Sequence, residues 1–116
     1  MKTVLCMLPV EQRHKEKLER AGGAECSFVY VGEHGATAED IAAANIILGM
    51  PEPELINASE NLELLQLNIA GADRYVKPGV LAPKTKLTNS TGAYSKAVAE
   101  HGAAMLFMLQ KKLHLY

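Results

Sequence analysis

Short apolar runs of strand length alternate with helix-patterned segments through the first ninety residues, and this alternation restricts the fold more than any other feature. Thr3 to Leu8, Cys26 to Val31, Ile46 to Leu48, Leu62 to Asn68 and Lys86 to Asn89 each read as a strand. Several of them are apolar nearly throughout, as expected where both faces of a strand are covered. Between them lie helical signals. Glu11 to Arg20 carries Val10, His14, Leu18 and Ala21 on one narrow stripe, and Gly22-Gly23 ends it. Thr37 with Asp40 three residues on has the form of a capping box, which starts a helix running through Ile41 to Ala44. Pro53 suits the first turn of a short helix reaching Ile56 to Ala58. Strands that alternate with helices form an open parallel sheet with helices on both faces.

Five strands in this rhythm predict an α/β fold with the flavodoxin-like order 2-1-3-4-5. The expected division is a flavodoxin-like domain over residues 1–92 and a connecting helix over 93–116. That last helix, from Ser95 to about His114, is roughly 30 Å long at 1.5 Å per residue. It contains the unbroken apolar run Ala103 to Leu109, which covers every side of about two turns. A helix lying on one sheet needs apolar residues on one side only. The run therefore predicts burial on all sides, either as a core helix of a larger fold or as a bridge to a further body, another domain or another subunit. Self-association through Met105, Leu106, Phe107 and Met108 of the 95–114 helix is the expected form of the last case.

Composition removes several function classes. Lys plus Arg is 12 and Asp plus Glu is 13, for a formal charge of -1. Nothing in that balance draws the chain to nucleic acid. The apolar run is far short of the ~20 residues a membrane span needs. The first strand ends at Pro9 without a signal-peptide cleavage pattern, and two cysteines, Cys6 and Cys26, sit in or beside apolar runs as free thiols do. A cytoplasmic protein is expected. No histidine pair has metal-ligand spacing with a third ligand. No GxGxxG, GxxxxGK[ST] or GxSxG occurs, so dinucleotide, P-loop and hydrolase chemistry have no local fingerprint.

In open α/β sheets ligands bind beyond the carboxyl ends of the strands. Three such ends carry small residues: Gly49-Met50-Pro51, Asn68 to Asp73, and Asn89-Ser90-Thr91-Gly92. Ala70-Gly71-Ala72 is the best candidate, because small side chains let an anion reach successive backbone N–H groups. The same three residues also suit a plain tight turn.

The second half of the chain resembles a known family. Leu65-Gln66-Leu67-Asn68-Ile69-Ala70-Gly71-Ala72-Asp73 is similar to the substrate-loop motif of the D-isomer-specific 2-hydroxyacid dehydrogenases. Leu87 to Tyr94, followed by Ala97-Val98-Ala99-Glu100-His101, is similar to their next strand and long connecting helix, in the same order and spacing. The resemblance implies the substrate-binding domain of an NAD(P)-dependent oxidoreductase acting on small 2-keto or 2-hydroxy acids. It implies that Ala70, Gly71 and Ala72 hold the substrate carboxylate. It also implies that Ala97 lies where the helix passes the cofactor, although many relatives carry Ser or Thr there. None of His14, His34, His101 or His114 matches the family's acid/base histidine. The NAD-binding domain, with its GxGxxG and its catalytic Arg, Glu and His, is expected beyond Tyr116. The chain alone is therefore expected to bind no NAD and to be inactive. The competing expectation is a stand-alone, non-enzymatic α/β module that binds small carboxylates or a protein partner.

Overall fold

A computed structural model describes all 116 residues, Met1–Tyr116. Five short strands form one sheet: β1 (Lys2–Cys6), β2 (Cys26–Tyr30), β3 (Ile46–Leu48), β4 (Leu64–Gln66) and β5 (Lys86–Thr88). Every pairing is parallel and the order is β2-β1-β3-β4-β5. The α/β architecture and the flavodoxin-like order are those expected from the sequence. Four α-helices accompany the strands: α1 (Gln12–Gly22), α2 (Ala38–Ala43), α3 (Pro53–Ile56) and α4 (Ser95–Gln110).

Right-handed crossovers explain the two layers. The chain steps from β1 to β2 in one direction, which sets α1 on one face. It then returns past β1 to β3, which sets α2 and α3 on the other. On that second face Leu5, Ile47 and Leu65 lie side by side in register and are at most 1% exposed. Ile41 of α2 and Ile56 of α3 complete the layer, together with Leu62, Leu67 and Tyr75 from the connections. Burying each such side chain stabilises by about 1.5–3 kcal/mol.

The opposite face is thinly covered. Val4 and Cys6 are buried there, but Ile46, Leu48 and Leu64 are only half-buried. Phe28 fits closely under α1: a Cβ added at Gly22 would come within 2.7 Å of the Phe28 ring. No residue of α1 is fully buried.

Helix ends follow local chemistry. The Thr37 hydroxyl accepts the Asp40 N–H at 3.2 Å, and the Asp40 carboxylate accepts the Thr37 N–H at 2.9 Å. Both halves of the expected capping box are thus made. At the start of α1 the Glu11 N–H donates to His14 Nδ1 at 3.1 Å, so His14 serves as a cap as well as a stripe residue. Strand boundaries are shorter than the apolar runs. Leu62 and Leu67 are buried yet lie outside β4: the Leu62 N–H turns to the Ser59 carbonyl, while the Leu67 N–H still donates to the Thr88 carbonyl of β5 at 2.8 Å. α4 stops at Gln110 rather than near His114, where Lys112 takes a left-handed conformation (φ 55°) and a 3-10 turn follows over Leu113–Leu115.

Every residue of α4 is exposed. The helix projects from the sheet and makes the molecule 57 Å long. The radius of gyration is 18.1 Å, against about 13 Å for a compact chain of this length. No helix is long and apolar enough to cross a membrane.

Candidate functional site

The carboxyl ends of β1, β3 and β4 open onto a cleft of about 440 Å3. It sits where the chain leaves β1 in one direction and β3 in the other, the switch point at which α/β sheets bind ligands. Its floor is apolar, from Met7 after β1, Ile41 of α2 and Met50 after β3. Gly49 makes this floor possible. Its φ is 133°, and a Cβ there would lie 2.9 Å from Met7 Cβ, so no other residue lets β3 turn so close to β1.

The rim is polar. Glu33 and His34 come from the β2–α2 loop, Glu52 from the start of α3, and Asn68 and Arg74 from the segment after β4. Arg74 Nη2 donates to Glu52 Oε2 at 2.8 Å, which neutralises the one arginine of the cleft. Both side chains are about half exposed or more, so the pair contributes at most about 1 kcal/mol to stability. The Arg74 guanidinium also lies 5.9 Å from the centre of the Tyr75 ring. Burial raises the Tyr75 pKa; Arg74 lowers it and Glu52 raises it further. His34 is almost wholly exposed, with Nε2 4.0 Å from Glu33 Oε2. The polar side chains of the cleft are Glu33, His34, Glu52, Asn68 and Arg74, with no serine, cysteine or lysine among them. No group of three His, Cys, Asp or Glu side chains is placed to hold a metal ion.

Asn68 and Arg74, both on the rim, bracket the loop that carries Ala70, Gly71 and Ala72. This loop is braced from the β5 side. Asn89 Nδ2 donates to the Ala70 carbonyl at 2.9 Å, Ser90 N–H donates to the Ile69 carbonyl at 3.0 Å, and Ser90 Oγ donates to the Leu67 carbonyl at 2.9 Å. The Ala70 N–H is already taken, by the Tyr94 hydroxyl at 3.3 Å. The Gly71 and Ala72 N–H groups have no acceptor within the chain. Gly71 is not required by the fold: its φ is not left-handed, and a Cβ there would meet only Ile69 Cδ1 at 3.9 Å.

Of the residues singled out from the sequence, Ala70, Gly71 and Ala72 do not line the cleft themselves but lie in the loop between its lining residues Asn68 and Arg74. Ala97 stands apart, in the first turn of exposed α4. Met50 and Asn68 belong to two of the strand ends singled out from the sequence and both line the cleft, whereas Met7, Glu33, Glu52 and Arg74 carry no local motif and are not expected from the sequence. Their only signal is position, since each follows the end of a strand.

No family model matches the chain. It is 34% identical over 77 residues to a protein of Corynebacterium melassecola described as an uncharacterized protein in the proB 3′ region. The match covers 66% of this chain and 25% of that protein. The chain therefore spans about a quarter of the length of the curated relative it matches.

Proposed function

We propose that this chain is the substrate-binding part of an NAD(P)-dependent oxidoreductase that acts on small 2-keto or 2-hydroxy acids. The observation that carries this reading is the loop after β4. Two adjacent N–H groups, Gly71 and Ala72, are free after the carboxyl end of a parallel strand, in a loop whose two ends, Asn68 and Arg74, line the cleft at the switch point. Successive free N–H groups bind a carboxylate. The Tyr94 hydroxyl accepts from Ala70 and so keeps its own proton to donate to the same anion. The resemblance of residues 65–73 and 87–101 to the 2-hydroxyacid dehydrogenases supports the assignment. The matched Corynebacterium protein is about four times as long as the matched stretch, which leaves room there for a second domain.

The residues present do not build a dinucleotide site. β1 runs into Leu8-Pro9-Val10 rather than a glycine-rich turn, and the residue before α1 is Glu11, whose carboxylate would repel a pyrophosphate. Ala97 offers a methyl group and no hydrogen bond. When bound, the nicotinamide would accept or supply the hydride; the role of this chain is to hold the acid by its carboxylate and orient it. Its cysteines support a reducing, cytoplasmic setting. Cys6 pairs in register with Tyr30, four residues along β2 from Cys26, or about 13 Å, so the two thiols cannot form a disulfide.

A second reading concerns assembly and rests on α4. Leu106 and Phe107 are each 64% exposed. A helix exposed along its whole length, with about two turns apolar on every side, fits self-association of this chain through residues 95–114.

An NMR titration with pyruvate tests the first reading. Shifts at the Gly71 and Ala72 amides, with no NADH fluorescence change for the chain alone, are expected. Unmoved amides at millimolar acid overturn it.

A further inference from the structure

The cleft adds to the carboxylate loop a statement about the rest of the ligand. Six of its lining residues are apolar, with Met7 and Ile41 buried at the floor and Met50 half-buried beside them. The charges at its rim are two carboxylates, Glu33 and Glu52, and one guanidinium, Arg74. Arg74 is bound to Glu52. Its charge is thus offset, and Glu33 has no lysine or arginine partner, only the His34 ring at 4.0 Å. A second anionic group entering here would meet a net negative rim and an apolar floor. Dehydrating it would go uncompensated. An uncharged hydrocarbon tail meets neither penalty and gains from burial. The volume, about 440 Å3, lies within the range of small-molecule pockets and exceeds what a single methyl group needs.

We infer that the cleft takes the uncharged apolar tail of a 2-keto or 2-hydroxy acid whose carboxylate sits on Gly71 and Ala72. The preferred class is the acid with a branched or otherwise bulky aliphatic side chain. Dicarboxylic and phosphorylated acids are excluded. The inference rests on the carboxylate reading above and adds the selectivity. Glu52 sets that selectivity by engaging the Arg74 guanidinium and offsetting its charge.

The test uses the chain labelled at its backbone amides and at the methyl groups of methionine, titrated separately with pyruvate, 4-methyl-2-oxopentanoate and 2-oxoglutarate. The expected result is movement of the Gly71 and Ala72 amides with all acids that bind. The methyls of Met7 and Met50 move with 4-methyl-2-oxopentanoate only. That acid binds roughly tenfold or more tighter than pyruvate, the order expected for burying its extra carbons, and 2-oxoglutarate binds more weakly than either. Glu52→Gln releases Arg74 and shifts the preference several-fold toward 2-oxoglutarate. If pyruvate moves the loop amides but the larger acid gains nothing and leaves both methionines unmoved, the tail site is wrong and the carboxylate site stands. Tightest binding of 2-oxoglutarate to the unaltered chain overturns the charge argument. If no acid moves the loop amides, the carboxylate reading falls and this inference falls with it.

Discussion

The Tyr75 hydroxyl donates to the Pro51 carbonyl at 2.7 Å, with both residues buried. This bond ties together two walls of the cleft, because Pro51 lies between Met50 and Glu52 while Tyr75 follows Arg74. Tyr75→Phe keeps the ring and leaves the Pro51 carbonyl without a partner. A buried unpaired acceptor costs about 1–3 kcal/mol. A loss of stability in that range is expected from urea unfolding, with Tyr75→Ala losing more through the cavity it opens. A Tyr75→Phe protein as stable as the parent would mean that the two walls are held by packing alone.

Two glycines separate fold from function. At Gly49 the backbone is left-handed and a Cβ would press on Met7, so Gly49→Ala is expected to destabilise by about 1–3 kcal/mol. At Gly71 a Cβ would meet nothing closer than 3.9 Å. Gly71→Ala is expected to stay within about 0.5 kcal/mol of the parent in thermal unfolding. In the same protein the added methyl is expected to weaken pyruvate binding at least several-fold. A Gly71→Ala chain that binds pyruvate as the parent does would remove the loop from the ligand site.

What the sequence disclosed and what it hid follow a physical division. Thr37 and Asp40 form their capping box because its chemistry is complete within four residues. The strand order was readable because short apolar runs separated by helices admit few right-handed arrangements. The loop at Ala70 to Ala72 stood out by its small side chains and its place after a strand. The cleft was legible only in part, through the strand ends at Met50 and Asn68; Met7, His34 and Arg74 come from other connections or lie farther along the chain and meet them only after the sheet has formed. Tyr94 was hidden for the same reason: its bond to Ala70 spans twenty-four residues. The start of β4 lies later than the apolar run because the Leu62 N–H turns back to the Ser59 carbonyl, whereas Leu67 just past the strand still donates to the Thr88 carbonyl of β5, and apolar character alone does not distinguish the two.

Alkaline stability is expected to report on Tyr30. Its hydroxyl donates to Glu19 Oε1 at 3.1 Å, and Lys15 Nζ lies 4.7 Å from the centre of its ring. Burial first, and then the Glu19 carboxylate, push its pKa up to about 12. The folded chain therefore holds this proton more tightly than the unfolded chain. Below pH 10, the ordinary tyrosine value, both states are protonated and the full contribution is present. Between there and about 12 the unfolded state loses its proton first, so stability falls as pH rises. Unfolding curves from pH 8 to 12 are expected to show this loss in the parent and a smaller one in Tyr30→Phe. Equal slopes would show that Glu19 does not hold the phenol.

The exposed helix supplies the last prediction. Val98, Met105, Leu106, Phe107 and Leu109 are each 47% exposed or more, on a helix with no fully buried residue. Apolar patches on stable monomers seldom exceed a few hundred Å2, and a stable dimer needs about 800 Å2 from each partner. α4 and the thinly covered sheet face of Ile46, Leu48 and Leu64 are the surfaces from which such an area could come. Light scattering is expected to find the chain associated at micromolar concentration, and Leu106→Glu with Phe107→Glu is expected to return it to a monomer. Gly102 refines the test. It stands in the middle of α4 with nothing within 4 Å of an added Cβ. In a free helix Gly102→Ala raises stability by roughly 1 kcal/mol. Where a second backbone packs closely against that position, the same methyl weakens association instead. A parent chain that stays monomeric at high concentration, and is only stabilised by Gly102→Ala, would show that α4 does not pair with its own copy.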